Sequence, residues 1–519
     1  MRANTFGIFG VVCAALFAAL LGVKAGWLDA LRTPPADTAA LGTAAAATAG
    51  DVWIDIRQAG RKIGFGHETL TPTDTGLELS QRIQMRLNTL GLVQEIRMQT
   101  TASLKADYSL KSFHFGLQSG SFSTRIEGTA KVQGLQLAAT TADGETRRSF
   151  LPMKMPLYLP AGIPAALGGR SSSPGDEIHY PFFDPATLGH STLLARYVGP
   201  ETIQVGGQAQ SARHWRLSVK GAAQSVWLSP DGELLKEEGI LGITLERTTR
   251  DRALRPAESD RIGDLIQLAA ITPDRPVDAP ESRRRLRVAI LGLPAAYPSL
   301  TGGRQSWDGR RLSIVREDGS DAAATAVAAT AVAATAATAG RDSVVEPGPR
   351  AADLAPAPLI ESDHAKIRRL AKTLAAPGED ARTRVRRIMA WMAAHIERRP
   401  VVSVPSALAT LEQRRGDCNE HAVLFAALAR AMGIPAQVEA GIVYLKGRFY
   451  YHAWNRVYLD RWVTVDALFG QLPADVTHIR LARGSTADQL NLLGVLGRLK
   501  IKVLNGQAKK KDDQTRASQ

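Results

Sequence analysis

The sequence predicts a multi-domain chain: an N-terminal membrane segment, a large antiparallel all-β domain, and a C-terminal domain that opens on helices and closes on strands. Three observations carry this reading. The 519 residues (55.7 kDa) exceed what one hydrophobic core serves. Apolar residues recur with period 2 between residue 51 and about residue 251, and with period 3.6 beyond residue 360. An Ala/Thr/Pro-rich stretch separates the two regimes. Apolar residues at 45% and charged residues at 22% exclude a mostly disordered, collagenous or multi-span membrane protein. The formal charge of +14 favours anionic surroundings but selects no partner by itself.

Residues 5–23 form an uncharged apolar run between Arg2 and Lys24. At about 1.5 Å per residue, such a run as a helix spans roughly 28 Å, enough to cross a hydrocarbon core. Residues 1–25 are therefore expected to be a transmembrane anchor or a signal segment, with Val23-Lys24-Ala25 as a small-residue cleavage site. A low-complexity linker follows at 26–50. The expected location is a bacterial inner membrane, with one N-terminal anchor and the bulk in the periplasm; the alternative is a cleaved signal and a soluble periplasmic protein. Cys13, inside the run, and Cys418 are the only cysteines, so no disulfide framework exists. A lone thiol in an oxidising compartment points to chemistry rather than packing.

Residues 51–251 read as strands. Val52–Ile56, Gln81–Leu87, Ser112–Phe115 and His214–Val219 alternate apolar with polar side chains, and Asp143-Gly144 and Asp231-Gly232 punctuate them as turns. Short strands at regular spacing predict a large antiparallel sheet, a barrel or a sandwich. The five histidines here (His67, His114, His179, His190, His214) lack metal-ligand spacing. Residues 252–317 form a mixed connecting region, with a helix expected over 260–270 and a basic strand over 283–291. Residues 318–360 form an Ala/Thr/Pro-rich linker whose five-residue repeat is too short for a solenoid. In the last domain, 361–504, Val385, Ile388, Met389, Met392 and Ile396 fall on one helical face, and Pro400 is the expected stop. Arg384, Arg386 and Arg387 lie mostly off that face with no interleaved aromatic residues, so nucleic acid is not an expected partner. Residues 497–503 suggest an edge strand, and 505–519 form a basic, disordered tail.

The chemistry concentrates in residues 416–435, GDCNEHAVLFAALARAMGIP. Asp417 followed three residues later by Glu420 is a capping-box pattern, which makes Cys418 the first residue of a helix. Ala422, Phe425, Leu428, Ala429 and Met432 then form its buried stripe, and Gly433-Ile434-Pro435 stops it. The N–H groups and positive dipole end of a helix favour thiolate over thiol, which activates the cysteine as a nucleophile. Three histidines follow as possible proton partners. The side chain of His421 leans along its own helix. His452 opens an alternating strand ending at Tyr458, and a second strand runs from Trp462 to Asp466, whose carboxylate could hold the far ring nitrogen of His452. His478, in the loop beyond, is read as structural.

The stretches DCNEHAVLFAALARAMGIPA, HAWNRVYLDRWVTVD and LPADVTHIRL together resemble the transglutaminase-like (papain-fold) cysteine superfamily in its bacterial envelope branch. Order and spacing agree, with 34 positions from Cys418 to His452 and 14 from His452 to Asp466. The resemblance spans about 360–485 and implies an α+β domain in which a helix presents the cysteine to a sheet carrying the histidine and aspartate. It implies Cys418 as nucleophile, His452 as general base and acid, and Asp466 as orienter. Less specifically, the strand-rich region resembles the exported segment that precedes such domains in envelope proteins. The hairpin between the two strands lacks the glycine common in the family, which disfavours a two-residue turn. His452 and Trp454 share a face, and Asp466 joins them only if it lies opposite Trp454. Tyr458 then pairs with Trp462, leaving Leu459, Asp460 and Arg461 as a three-residue loop; the expectation is that loop or a bulge. The backbone N–H of Cys418 offers one oxyanion donor; Gln413, Trp391 and Asn419 stand as alternatives for the second.

The implied activity is acyl transfer on an amide of a protein or peptide in the cell envelope, either by hydrolysis (protease or amidase) or by transamidation. The competing reading is a non-catalytic envelope scaffold built on the same fold. No cofactor or metal is expected, since Cys418 and His421 lack further ligands at zinc spacing.

Overall fold

The computed structural model describes residues 50–504 except 90, 121, 141–143, 145, 169, 221, 258–261, 295–296, 318–345, 402–403, 485–491, 493–494 and 496. The expected membrane segment, nearly all of the 26–50 linker, most of the 318–360 linker and the basic tail lie outside the described residues. Among those described, no helix is long and apolar enough to cross a membrane.

The period-2 region forms one antiparallel sheet of fourteen strands. Its first half comprises β1 (Gly50–Gln58), β2 (Arg61–Thr73), β3 (Gly76–Thr89), β4 (Leu92–Leu104), β5 (Leu110–Ser119), β6 (Phe122–Lys131), β7 (Gly134–Thr140) and β8 (Thr146–Pro152). The second half comprises β9 (Glu177–Asp184), β10 (Gly189–Val205), β11 (Gln208–Val219), β12 (Ala222–Leu228), β13 (Leu234–Glu238) and β14 (Ile243–Thr248). Strand order is sequential within each half, β1 pairs with β14 to join the halves, and β8 and β9 are the edges. The alternation in β3 buries Leu77, Leu79, Ile83, Met85 and Leu87 on one face. The chain between the two edges carries the short helix α1 (Ile163–Gly168), whose Ile163, Ala166 and Leu167 join a second buried cluster with Phe182, Leu193, Trp215 and Val226 of β9–β12.

In the connecting region, α2 (Arg250–Ala253) follows the sheet, and α3 (Leu265–Ala269) starts where Asp264 accepts from the N–H groups of Ile266 and Gln267. The basic strand is β15 (Arg285–Leu291). With β16 (Gln305–Trp307), β17 (Arg311–Val315) and the last strand of the chain, Lys500–Val503, it makes a four-stranded sheet in which that last strand is an edge. Residues 346–360 pack onto the C-terminal domain: Gln437 donates to buried Asp353 at 2.7 Å, and Arg483 bonds Glu346 at 2.6 Å.

The C-terminal domain sets four helices against a four-stranded sheet. The helices are α4 (Ala365–Leu374), α5 (Ala381–His395), α6 (Ala407–Gln413) and α7 (Cys418–Ala431). All five residues of the expected stripe, Val385 to Ile396, are buried. Helix α5 ends well before Pro400, because β18 (Glu397–Arg398) leaves it to pair in parallel with β19 (Arg415–Gly416). The sheet comprises β20 (Ala436–Leu445), β21 (Arg448–Tyr458), β22 (Trp462–Val465) and β23 (Ile479–Arg483), in the order β22-β21-β20-β23. The remaining strand, Lys500–Val503, is β24.

The two large domains share apolar contacts. Leu359, Val404 and Val443 belong to the same buried cluster as β1–β7, and Ile271 and Phe449 exchange two backbone hydrogen bonds of 2.8 Å. Gly441 in β20 is held tightly: it faces His452 across the ladder, and a bulge separates it from Ala440 against β23. A Cβ there would sit 2.0 Å from the carbonyl oxygen of Ile479. Gly441→Ala is therefore expected to push β23 away from β20 and to lower stability by about 1–3 kcal/mol in urea unfolding, the usual range for overpacking.

Candidate active site

Helix α7 begins as its sequence dictates. The Asp417 side chain accepts from the Asn419 N–H at 3.1 Å, and Glu420 reaches back to the Asp417 N–H at 3.2 Å, closing the capping box. Gly433, at φ 78°, lies just past the last turn. The stripe expected on this helix is wider than its periodicity suggests. Every residue from 418 to 429 is buried, because α4, α5 and α6 pack on the helix from one side and β20 and β21 from the other. Cys418 is the first helical residue, has no exposed surface and borders the apolar cluster of Ile388, Met392 and Phe425. The helix terminus favours negative charge on sulfur, and the loss of water opposes it. The Asn455 side chain fastens the helix to β21 by donating to the Ala422 carbonyl at 2.9 Å.

The β21–β22 hairpin has the register inferred from the shared-face requirement. Tyr458 pairs with Trp462 and Asn455 with Val465, leaving 459–461 as a three-residue loop. The Leu459 N–H closes this loop on the Arg461 carbonyl at 2.8 Å, and Asp460 takes the left-handed conformation (φ 62°) that a glycine would otherwise supply. One step further, Asp466 comes onto the face of His452, and His452 Nε2 lies 2.6 Å from Asp466 Oδ2. The Phe469 ring stacks on the imidazole at 4.7 Å, and the Phe469 N–H donates to Asp466 Oδ1 at 2.9 Å.

Sequence reasoning missed His478. Its Nε2 lies 3.0 Å from the same Asp466 Oδ2, and its Nδ1 lies 3.3 Å from Asp475 Oδ1. The one hint available was Asp475, three residues before His478 in a segment rich in polar residues that could fold back. His452, Asp466 and His478 each offer one ligand atom within 4.8 Å of the others, a spacing that could hold a metal ion. Direct hydrogen bonds already account for that closeness. His421 stays with its own helix, its Nδ1 2.7 Å from the Asp417 carbonyl.

Residues 368–467 match the family model of the transglutaminase-like superfamily. The C-terminal domain is transglutaminase-like. Solved structures similar to parts of the chain include a β-barrel-like protein from Brucella abortus belonging to a domain family of unknown function (9% identity, TM-score 0.31, covering 39% of this chain and 96% of that one). Another is a candidate cysteine protease from Cytophaga hutchinsonii (19% identity, TM-score 0.25, covering 42% of this chain and 80% of that one). TM-scores this low do not establish a shared fold. No protein of curated function matches the chain.

Within the transglutaminase-like domain, electrostatics fix the charge states around Asp466. Burial would raise the Asp466 pKa, but the two imidazoles hold it well below the usual carboxylate range. An ionised carboxylate only accepts, so His452 Nε2 carries a proton and neutral His452 keeps its lone pair on Nδ1. Burial disfavours charge on His478, yet its bonds to Asp466 and Asp475 push its pKa up to about 9. Burial brings His421 down to about 4, which makes it a poor base at neutral pH. Of the alternatives for an oxyanion donor, Trp391 stacks on His395 at 4.7 Å with Arg414 over its ring, Gln413 closes α6, and Asn419 follows Cys418.

Three predictions follow from these charges. The raised pKa of His478 gives stability that is complete below about pH 6.5, its unfolded value, and is lost as pH rises through about 9. Melting temperature is thus expected to fall along that limb, and His478→Asn to flatten it in melts recorded across the pH range. His421 acts on the other limb, costing stability as pH falls from about 6.5 to about 4. Asp466→Asn removes the anion between two imidazoles and is expected to cost about 3–5 kcal/mol in urea unfolding.

Proposed function

We propose that the chain is an exported, membrane-anchored thiol enzyme that transfers acyl groups from amide bonds, with Cys418 as nucleophile, His452 as general base and acid, and Asp466 as orienter. The observation that carries this reading is the 2.6 Å bond from His452 Nε2 to Asp466, which leaves Nδ1 to take the thiol proton inside a transglutaminase-like domain. Attack of the sulfur on the amide carbonyl forms a tetrahedral oxyanion, and the Cys418 N–H is one donor for it. Collapse of that intermediate breaks the C–N bond, and His452 returns the proton to the departing amine. Water, activated by the same imidazole, then hydrolyses the thioester. A primary amine in its place gives transamidation, but hydrolysis is favoured because water needs no dedicated acceptor groove. The export and anchor rest on the apolar run at 5–23, and the substrate class is protein or peptide of the envelope.

A charge count supports the division of roles. With His452 neutral, Asp466, Asp475 and cationic His478 sum to one negative charge; a proton passed from the thiol to His452 neutralises that cluster and leaves the negative charge on sulfur at the helix terminus. One observation favours a scaffold that does not turn over: Cys418 and His452 are 0% exposed, so a substrate reaches them only after a local displacement.

Labelling separates the two readings. Iodoacetamide at mildly acidic pH is expected to alkylate Cys418 faster than it does a model thiol, and His452→Ala to slow the reaction. Slow labelling indifferent to that substitution points to the scaffold. With a peptide-amide substrate, Cys418→Ala is expected to abolish turnover and His452→Ala to lower kcat by about 10²–10⁴-fold with little change in KM.

A further inference from the structure

We propose that the all-β domain binds an amphipathic ligand with an aliphatic body and a protonated amine, in a cavity of about 370 Å³ on the buried side of the sheet. This site is separate from the thiol chemistry and does not depend on it. The volume lies in the range of small-molecule sites, about 300–1,000 Å³. A side chain is missing from the inward row where the cavity lies. Gly66 sits between Ile54 on β1 and Ile83 on β3, and a Cβ on it would come no closer than 3.6 Å to any atom. Leu193, Leu217 and Leu245 supply apolar wall from the other half of the sheet, and α1 borders the far side.

The polar groups select the head of the ligand. Glu237 lies in the wall between Val226 and Leu245 with 5% of its surface exposed, and Gln224 is buried beside it. On the facing half, Glu68 pairs with Gln81 at 2.6 Å. Among the described residues four carboxylates (Glu68, Asp231, Glu233, Glu237) line the cavity and no lysine or arginine does. Arg247 takes up one of them, Glu233, at 2.7 Å. In a chain of formal charge +14 this is a local inversion of sign. A low-dielectric cavity strengthens such a field, so an alkyl chain ending in ammonium is attracted and one ending in carboxylate is repelled.

Calorimetric titration of the full chain with dodecylammonium, dodecanoate and dodecyl maltoside, each below its micelle concentration, tests the site. Dodecylammonium is expected to bind one per chain, at least about tenfold tighter than the other two. Glu68→Gln combined with Glu237→Gln should erase that preference. Gly66→Leu should place a side chain in the cavity and weaken dodecylammonium binding at least about tenfold while circular dichroism stays native. Equal affinity for all three amphiphiles overturns the proposal, as does unchanged dodecylammonium binding in a folded Gly66→Leu variant. Should the double substitution fail to fold, Glu68→Gln alone, read beside Gly66→Leu, decides between the same two outcomes.

Discussion

The C-terminal domain is organised around one constraint, an ionised carboxylate with no water to solvate it. Asp466 is buried and its oxygens are met by protein donors: His452 and His478 at Oδ2 and the Phe469 N–H at Oδ1. Burying a bare carboxylate is prohibitive, so those donors are a condition of the fold as well as a feature of the site. The requirement propagates. His478 can be cationic in a closed interior because Asp475 balances it, and Asp475 in turn is held by the Thr477 N–H at 2.7 Å and the Thr477 hydroxyl at 2.6 Å. The chain from 466 to 478 is folded back by this alternation of acid and imidazole, which also fixes the ring of His452.

A second buried ionic layer lies beside the first. Glu439 on β20 collects Arg456, Arg480 and Arg483, and their charges overcome burial to bring its pKa to about 2. Trp454 joins the layers: its indole N–H donates to Glu439 at 2.9 Å, and its ring meets His478 edge-on at 5.2 Å. Buried ion pairs are weak contributors to net stability but costly to break singly. Two of them coupled through a fully buried tryptophan over-determine the face of β21 that carries His452. Rigidity of that kind is what the general-base role proposed for His452 would require, since a displacement of an ångström is costly to catalysis.

How much of this was legible follows from the range of each interaction. The strands of the all-β domain and the stripe on α5 are visible because periodicity records which face is buried. The start of α7 is visible because a capping box lies within four consecutive residues. The hairpin register could be derived because side chains alternate strictly and a missing glycine disfavoured the shorter turn. His478 was not legible as part of the site, because its role depends on a twelve-residue return that no local pattern encodes. The burial of α7 on every side from 418 to 429 escaped for the same reason: three helices cover the flank that periodicity assigns to solvent. The early end of α5 was set by a parallel strand pair far along the chain, not by the proline that local rules pointed to.

The all-β domain is also part of what supports the thiol. Phe122, at the start of β6, packs against Val401, and Arg415 lies over the Phe122 ring. The Val401 N–H donates to Asp417 Oδ2 at 3.3 Å, and the other oxygen of that carboxylate caps α7 one residue before Cys418. Gln94 on β4 adds a bond to the Pro400 carbonyl at 2.9 Å. Two contacts therefore lead from the surface of the sheet to the cap of the helix that presents the cysteine. An aspartate cap is worth about 1 kcal/mol to its helix, and its geometry decides where the first turn points its N–H groups. A shift of the sheet relative to Val401 would reach that turn before it reached any other element of the site. The start of α7 is thus held from both sides, by the sheet that carries His452 and by a domain whose own sequence holds none of the residues proposed for the chemistry.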